Sequence, residues 1–269
     1  SRQPEDILRE CQELVESGVK DITLLGQNVN SYGKDLSCGM DFADLLAAIA
    51  ELPGDFLIRF MTSHPRDASK KLFDTMAKYP KIAKQLHLPF QSGSSRVLKA
   101  MNRHYDREKY LEAVNYAKSV MPHLVLTSDV IVGFPGETEE QHEELMAFVD
   151  EMEFDRLGVF TYSPEEDTPA ATMEDQIEES VKEDRQADLM ELQQEIAFEL
   201  AEDMIGKELI VMIEGKVADE NAYVGRTYKD APNVDGLIFV ESDIELMSGD
   251  FAKVKVTGAL EYDLIGEIV

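Results

Sequence analysis

A carboxylate set inside an apolar run is the first feature of this chain that needs a chemical explanation. Asp129 lies between Val125-Leu126-Thr127-Ser128 and Val130-Ile131-Val132, where it must find hydrogen-bond donors or incur a desolvation cost. Ribose hydroxyls would supply donors, and an internal bond to a neighbouring loop is the alternative. Directly downstream, Gly133-Phe134-Pro135-Gly136 leads into Glu137-Thr138-Glu139-Glu140. Backbone groups exposed in such a strand-to-helix turn can meet a planar or anionic ligand edge, although the turn also needs glycine for steric reasons alone. Gln91 closes the run Leu86-His87-Leu88-Pro89-Phe90, and a neutral amide there suits a ribose. The helix expected to follow carries Arg96, Lys99 and Arg103, and Arg103 could clamp a carboxylate with paired donors. His64 and His87 are weaker candidates, because neither has metal-ligating partners at suitable spacing. The chain has no nucleophile elbow, no phosphate loop ending in Gly-Lys-Ser/Thr and no paired-glycine dinucleotide fingerprint, so hydrolase, NTPase and dehydrogenase chemistries lose ground.

The elements that must position these residues follow from periodicity. Pro4 opens a helical pattern with Ile7, Leu8, Cys11, Leu14 and Val15, which ends at Gly18. The apolar run Ile22-Thr23-Leu24-Leu25 follows as a strand. Helices expected at 42–52, 69–79, 106–119 and 138–152 alternate with strands at 57–61, 86–90, 124–132 and 155–162. This alternation predicts an α/β fold, with βα units around a parallel sheet covered on both faces. Chemistry in such folds gathers at the C-terminal strand ends. Four of those ends carry polar or glycine-rich runs: Gly26-Gln27-Asn28-Val29-Asn30, Thr62-Ser63-His64-Pro65, Gln91-Ser92-Gly93-Ser94 and Gly133-Phe134-Pro135-Gly136-Glu137. Four on one rim argue for a shared ligand. A long acidic helix is expected over 174–204, with Ile177, Val181, Leu189, Leu192, Ile196 and Leu200 as its apolar stripe. Beyond it come about five short strand signals and no helix, which suggests a small closed barrel of the oligonucleotide-binding kind. The expected division is 1–173, a 174–204 helical connector and 205–269.

With 269 residues and 43% apolar composition, the chain can bury a sizeable core. The net charge is -28; residues 151–269 hold 9 Lys/Arg against 31 Asp/Glu. Such a surface repels phosphate backbones and steers basic partners inward, and solvated acidic faces are an equally good account of it. Cys11 and Cys38 are too few for a disulfide framework and too widely spaced for an iron–sulfur or zinc site. Cys11 reads as packing and Cys38 as an exposed thiol. No apolar run reaches membrane-span length, and the N-terminus has no signal-peptide pattern, so a cytoplasmic protein with no membrane partner is expected. A start at Ser1 on a polar turn suggests a piece of a longer chain.

The runs Thr23-Leu24-Leu25-Gly26-Gln27-Asn28-Val29-Asn30-Ser31-Tyr32, Ile58-Arg59-Phe60-Met61-Thr62-Ser63-His64-Pro65, His87-Leu88-Pro89-Phe90-Gln91-Ser92-Gly93-Ser94 with Met101-Asn102-Arg103, and Asp129 through Thr138 resemble the radical S-adenosylmethionine (radical SAM) methylthiotransferases. The first half is similar to the MiaB-like branch, which modifies an isopentenylated adenosine beside the tRNA anticodon. Phe154 through Glu166, Tyr223 through Tyr228, Asp235-Gly236 and Glu261 through Glu267 are similar to the RimO-like branch, which methylthiolates an aspartate of a small-subunit ribosomal protein. The chain thus looks like a hybrid of the two.

The resemblance implies a partial (β/α) radical SAM barrel, lacking its first strand and cluster loop, and a C-terminal TRAM (OB-like) barrel. It implies S-adenosylmethionine as cofactor, together with 4Fe–4S clusters whose cysteine ligands lie outside this chain, so that the fragment alone would be inactive. It places Gly26 and Gln27 at the methionine amino end and Arg103 at the carboxylate, and counts Asn28 and Ser63 among the cofactor-binding residues. Gln91 and Asp129 would meet the ribose, and Gly133, Phe134, Pro135 and Gly136 the adenine. The implied partners are a tRNA anticodon stem-loop or a basic small-subunit ribosomal protein, and an electron donor. Because the pocket should decide what reacts, the tRNA substrate is expected. A noncatalytic RNA- or ribosome-binding barrel is the rival from another class.

Overall fold

Pro at the first helical position costs no hydrogen bond, and α1 (Pro4–Glu16) begins there. The chain then alternates β1 (Asp21–Leu24), α2 (Phe42–Ala50), β2 (Leu57–Phe60), α3 (Lys70–Lys78) and β3 (Gln85–His87). It continues with α4 (Ser95–Ala100), α5 (Arg107–Val120), β4 (Val125–Val132), α6 (Glu139–Met152) and β5 (Arg156–Thr161). The structure, a computed structural model, describes residues 1–218, 220–232 and 234–269.

Helix starts are fixed by side-chain caps, as reciprocal capping boxes at Asp41/Asp44 and Thr138/Gln141 show. β1 and β2 pair in parallel, as do β3, β4 and β5. A parallel bridge between Ile58 and Ile82 joins the two sets. Ile58, Leu86, Leu88, Val130 and Val132 are fully buried, as a parallel sheet covered on both faces requires. Phe90 stacks on Phe154 at 5.3 Å and meets Phe148 edge-on at 4.9 Å beneath the helices.

Two local expectations need correction. The run Leu86–Phe90 is strand only through His87, because Pro89 has no N–H to offer a ladder. Its backbone still follows β4, with Leu88 N–H donating to Thr127 O at 2.8 Å and Gln91 N–H to Asp129 O at 3.0 Å. Arg103 is not on a helix either. α4 stops at Ala100, Asn102 turns left-handed at φ 57°, and Arg103 N–H closes back onto Leu98 O at 2.9 Å while Asn102 N–H reaches Lys99 O at 3.1 Å. This is a Schellman ending with asparagine in the glycine position.

The long helix α7 spans Glu179–Glu202, starting five residues later than expected. Its buried face also differs from the expected stripe. Of that stripe Leu189 and Ile196 are buried but Val181 is exposed, and the polar Lys182, Arg185 and Gln193 are buried as well. The cause is the open side of β5 and of the residues flanking it, whose carbonyls need donors. Lys182 Nζ donates to Tyr162 O at 2.9 Å, Gln186 to Val159 O at 2.6 Å and Gln193 to Phe154 O at 2.7 Å. No helix of the described residues is long and apolar enough to cross a membrane.

The chain divides into two compact units, Ser1–Gln193 and Gln194–Val269. In the second, β6 (Glu208–Lys216), β7 (Ala222–Arg226), β8 (Ile238–Glu241), β9 (Phe251–Leu260) and β10 (Asp263–Ile268) close into a barrel in the order β10-β8-β7-β6-β9. Alternating inward residues Val211, Ile213, Val254 and Val256 fill it with Ile238 and Val240. Gly236 lets the β7–β8 connection pass under the Tyr262 carbonyl, since a Cβ there would lie 2.2 Å from that oxygen.

Candidate functional site

Asp129 sits near the end of β4, and its surroundings on the flanking strands explain how a carboxylate is tolerated there. On the β3 side, His87 Nε2 lies 3.3 Å from Asp129 Oδ2, while His87 Nδ1 lies 2.9 Å from Thr127 Oγ1. The His87 ring thus lies between the Thr127 hydroxyl and the Asp129 carboxylate. On the β5 side, Asp129 faces Gly158. A Cβ at Gly158 would fall 2.5 Å from Asp129 Oδ1 and 2.9 Å from the Phe160 ring, so the glycine leaves the slot in which the carboxylate rests.

Gln91 is held beside Asp129 in a left-handed conformation, φ 71°. Its N–H donates to Asp129 O and its carbonyl accepts from Ile131 N–H, both at 3.0 Å. Backbone in this region is strained for a non-glycine residue, and here both backbone bonds to β4 enforce it. Asp129, Gln91 and Arg103 line one cavity of about 510 Å³, together with Phe134, Tyr162 and Met173 among others. Arg103 Nε and Tyr162 Oη are buried without a partner. The cavity therefore combines an acceptor, an amide and a guanidinium with an aromatic wall, in which Phe134 and Tyr162 meet edge-to-face at 5.2 Å.

The remaining expected residues lie elsewhere on the same strand ends. Gly26 offers its carbonyl to Thr62 Oγ1, Val29 N–H donates to Thr62 O at 3.2 Å, and Gln27 is exposed. Asn28 donates to Asp67 at 2.9 Å, beside Ser31 at 2.6 Å and Lys34 at 2.5 Å. Burial works to raise the Asp67 carboxyl, but hydrogen bonds from Lys34, Ser31, Arg66 and Asn28 hold it well below the usual carboxylate range. Asn30 exchanges two bonds with the His64 backbone, at 3.0 and 2.9 Å. The loops after β1 and β2 are thus tied to each other. Ser63 Oγ and Asn28 Oδ1 are buried there without partners. None of Gly26, Gln27, Asn28 and Ser63 borders the cavity that holds Asp129.

In the Gly133–Gly136 turn the structure brings only Phe134 to the cavity. Gly133 N–H donates to Glu137 Oε2 at 3.2 Å and Gly136 N–H to Asp175 O at 2.8 Å, so those two backbone donors are already used. Lys182 lies over Gly133, where a Cβ would fall 2.3 Å from its Cγ. Glu137 in turn accepts from Arg185 at 2.9 Å, both side chains being buried. Burial pushes the Glu137 carboxyl up, against the pull of Gly133 N–H and the Arg185 charge.

Sequence reasoning missed Tyr162, Met101, Met173 and Gly158. Of these, only Gly158 carried a local signal, a glycine interrupting a strand.

A parallel βα array with a ligand-sized cavity at its strand ends can be compared with known proteins. The family profile described as the Radical SAM superfamily matches residues 1–149. The chain belongs to the radical SAM superfamily. The TRAM domain profile matches residues 205–269, the segment that forms the closed barrel. A ribosomal protein uS12 methylthiotransferase RimO of Lachnoclostridium phytofermentans is 47% identical over 262 residues, covering 97% of this chain and 60% of that protein. A tRNA-2-methylthio-N(6)-dimethylallyladenosine synthase of Alkaliphilus oremlandii is 44% identical over 270 residues, covering 100% of this chain and 56% of that protein. The chain therefore spans little more than half the length of these relatives. The solved structure of coproporphyrinogen III oxidase (HemN) from Escherichia coli, described as a radical SAM enzyme, matches with a TM-score of 0.51 at 20% identity over 77% of this chain and 49% of that one, a likeness of fold.

Radical SAM enzymes use S-adenosylmethionine with a 4Fe–4S cluster, which needs thiolate ligands. Cys11 is buried in α1 and Cys38 is exposed in the β1–α2 connection, and the described residues contain no group of three His, Cys, Asp or Glu able to hold a metal. These residues do not fit a cluster. The orphaned Arg103 Nε beside Asp129 and Gln91 does fit a nucleoside-bearing amino acid.

Proposed function

We propose that this chain holds S-adenosylmethionine within a methylthiotransferase whose substrate is an isopentenylated adenosine beside the tRNA anticodon. The observation that carries this reading is the convergence of Gln91, Arg103 and the Asp129–Phe134 run, three separate segments, on one cavity. Asp129 accepts from the ribose hydroxyls, with His87 Nε2 3.3 Å from its Oδ2. Gln91 adds an amide to the same sugar. Arg103 takes the methionine carboxylate with paired donors, Phe134 and its turn border the adenine, and Gly26 and Gln27 would reach the amino end from the loop after β1, outside the lining of that cavity, where Asn28 and Ser63 also lie. If bound there, S-adenosylmethionine would supply the hydrogen-abstracting radical of the family's chemistry, and a second molecule of it would supply the methyl group. The chain's own residues bind, orient and keep water from the molecule in the cavity. In this reading residues 1–173 form the barrel portion, 174–204 the connector and 205–269 the TRAM-like barrel of a cytoplasmic enzyme served by an electron donor.

A second substrate is favoured by one observation. Glu165, Glu166 and Asp167 are exposed between Ser163 and Thr168, which line the cavity. Acids at a pocket mouth repel a phosphate backbone and suit a basic polypeptide, as methylthiolation of a ribosomal-protein aspartate requires.

Calorimetry with S-adenosylhomocysteine tests the pocket. Asp129→Asn and Arg103→Ala each weaken binding by roughly tenfold or more, the scale of a charge-assisted hydrogen bond. Equal affinity in both variants removes the reading. The cluster-loaded polypeptide that contains this chain, offered stem-loop RNA and the ribosomal protein separately, tests the substrate: product on RNA is expected, and product on protein alone installs the second substrate. Ligand binding without product on either leaves the noncatalytic alternative.

A further inference from the structure

Tyr162 carries a polar group that the fold itself does not use. It follows β5 and is 9% exposed, and its backbone carbonyl is occupied by Lys182. Its hydroxyl is buried and has no hydrogen-bond partner. Around the ring pack Val97, Phe134, Met101, Ile131, Ala170 and Met173, whose side chains offer no strong acceptor or donor. A phenylalanine would fill this place equally well and would not leave a buried hydroxyl unmade, which costs the free protein stability. Nor is this end of the cavity a good place for an ordered water, which needs two to four polar partners.

An occupant that is flat, mostly apolar and polar at its rim resolves the difficulty. We infer that Tyr162 is a specificity-determining residue, its hydroxyl hydrogen-bonding the base edge of a purine nucleoside whose ribose faces Asp129 and Gln91. The inference rests on the nucleoside reading of the cavity proposed above. A purine suits the aromatic and methionine walls by shape and by its π-face. Its edge alternates ring-nitrogen acceptors with an exocyclic substituent, and a phenol can donate to one or accept from the other. With Gly133 and Gly136 N–H already engaged by Glu137 and Asp175, the Tyr162 hydroxyl is a free polar group at the aromatic end, where the base lies.

Tyr162→Phe removes only the hydroxyl, so the full chain serves directly, with Asp129→Asn as companion. S-adenosylhomocysteine affinity is measured by calorimetry, and ligand-free stability by thermal melting. Tyr162→Phe is expected to melt at the wild-type temperature or above it, and to bind S-adenosylhomocysteine about three- to tenfold more weakly, the range of one neutral hydrogen bond. Its preference for this ligand over the hypoxanthine analogue, S-inosylhomocysteine, shrinks as well. Wild-type affinity and preference in Tyr162→Phe, with binding weakened in Asp129→Asn, overturn the role of Tyr162 and leave the nucleoside pocket standing. A lower ligand-free melting temperature in Tyr162→Phe also overturns it, because the hydroxyl then has a partner within the fold. Failure of the wild-type chain to bind S-adenosylhomocysteine removes the pocket and this inference together.

Discussion

Asp129 owes its position to a residue that has no side chain. The slot over Gly158 admits the carboxylate because nothing occupies the Cβ position, 2.5 Å from Oδ1, while His87 Nε2 lies 3.3 Å from the other oxygen. Gly158→Ala is therefore expected to push Asp129 and the Phe160 ring aside, at a cost of about 1–3 kcal/mol, as for other overpacking changes. Calorimetry with S-adenosylhomocysteine should show weaker binding in a variant that still folds, and unchanged affinity would mean that the carboxylate is not placed by this slot. At this scale the sequence was partly legible. Asp129 announced itself as a charge within an apolar run, and Gln91 as the polar end of another. Tyr162 did not, because an aromatic residue ending a strand looks like core until its hydroxyl is found without a partner. The roles expected for Gly133 and Gly136 rested on their backbone donors, which Glu137 and Asp175 occupy through side-chain and long-range contacts that local sequence cannot reveal.

The element with most influence on the site's frame is α7. A helix with lysine, arginine and glutamine at positions 182, 185, 186 and 193 has the pattern of a solvent face, and so its apolar positions were expected to be the buried ones. Donors are turned inward beside Leu189 and Ile196, because β5 and the residues flanking it present carbonyls at Phe154, Val159 and Tyr162 and Glu137 needs a counter-charge. Arg185→Met tests this arrangement. It leaves the Glu137 carboxylate buried with Gly133 N–H and the neighbouring His142 as its remaining support, and breaking such a pair costs about 3–5 kcal/mol. The sign of the pH effect follows from the direction of the Glu137 shift. Burial already raises its pKa above the ordinary 4.5, and loss of Arg185 raises it further, so the folded variant takes up a proton more readily than the unfolded chain. Its stability deficit is therefore full above the variant's raised folded pKa and shrinks as pH falls from there through the wild-type folded pKa, both lying above the ordinary value. Thermal melts of wild type and Arg185→Met across that range check this, with Glu137→Gln added to the variant expected to recover much of the loss at neutral pH. A deficit independent of pH would show that Glu137 is not the group left stranded.

At the scale of the whole chain, the βα alternation and the later run of short strands were legible because each is a repeated pattern, summed over many residues. The surface charge was equally visible, and it has a consequence that no single contact carries. With 54 Asp and Glu against 26 Lys and Arg, like charges outnumber pairs, and self-repulsion opposes the compact state. Salt screens such repulsion within about 10 Å at 0.1 M. It also weakens exposed ion pairs such as Lys71–Asp41 and Lys253–Glu208, but exposed pairs contribute only about 0–1 kcal/mol each. The repulsive sum should win. The melting temperature of the full chain is thus expected to rise as sodium chloride is increased from about 10 mM to about 0.5 M, a range over which the screening length falls several-fold. A fall over the same range would mean that local pairing outweighs the net charge, and the acidic surface could then no longer be treated as one field that repels RNA phosphates and draws in a basic partner.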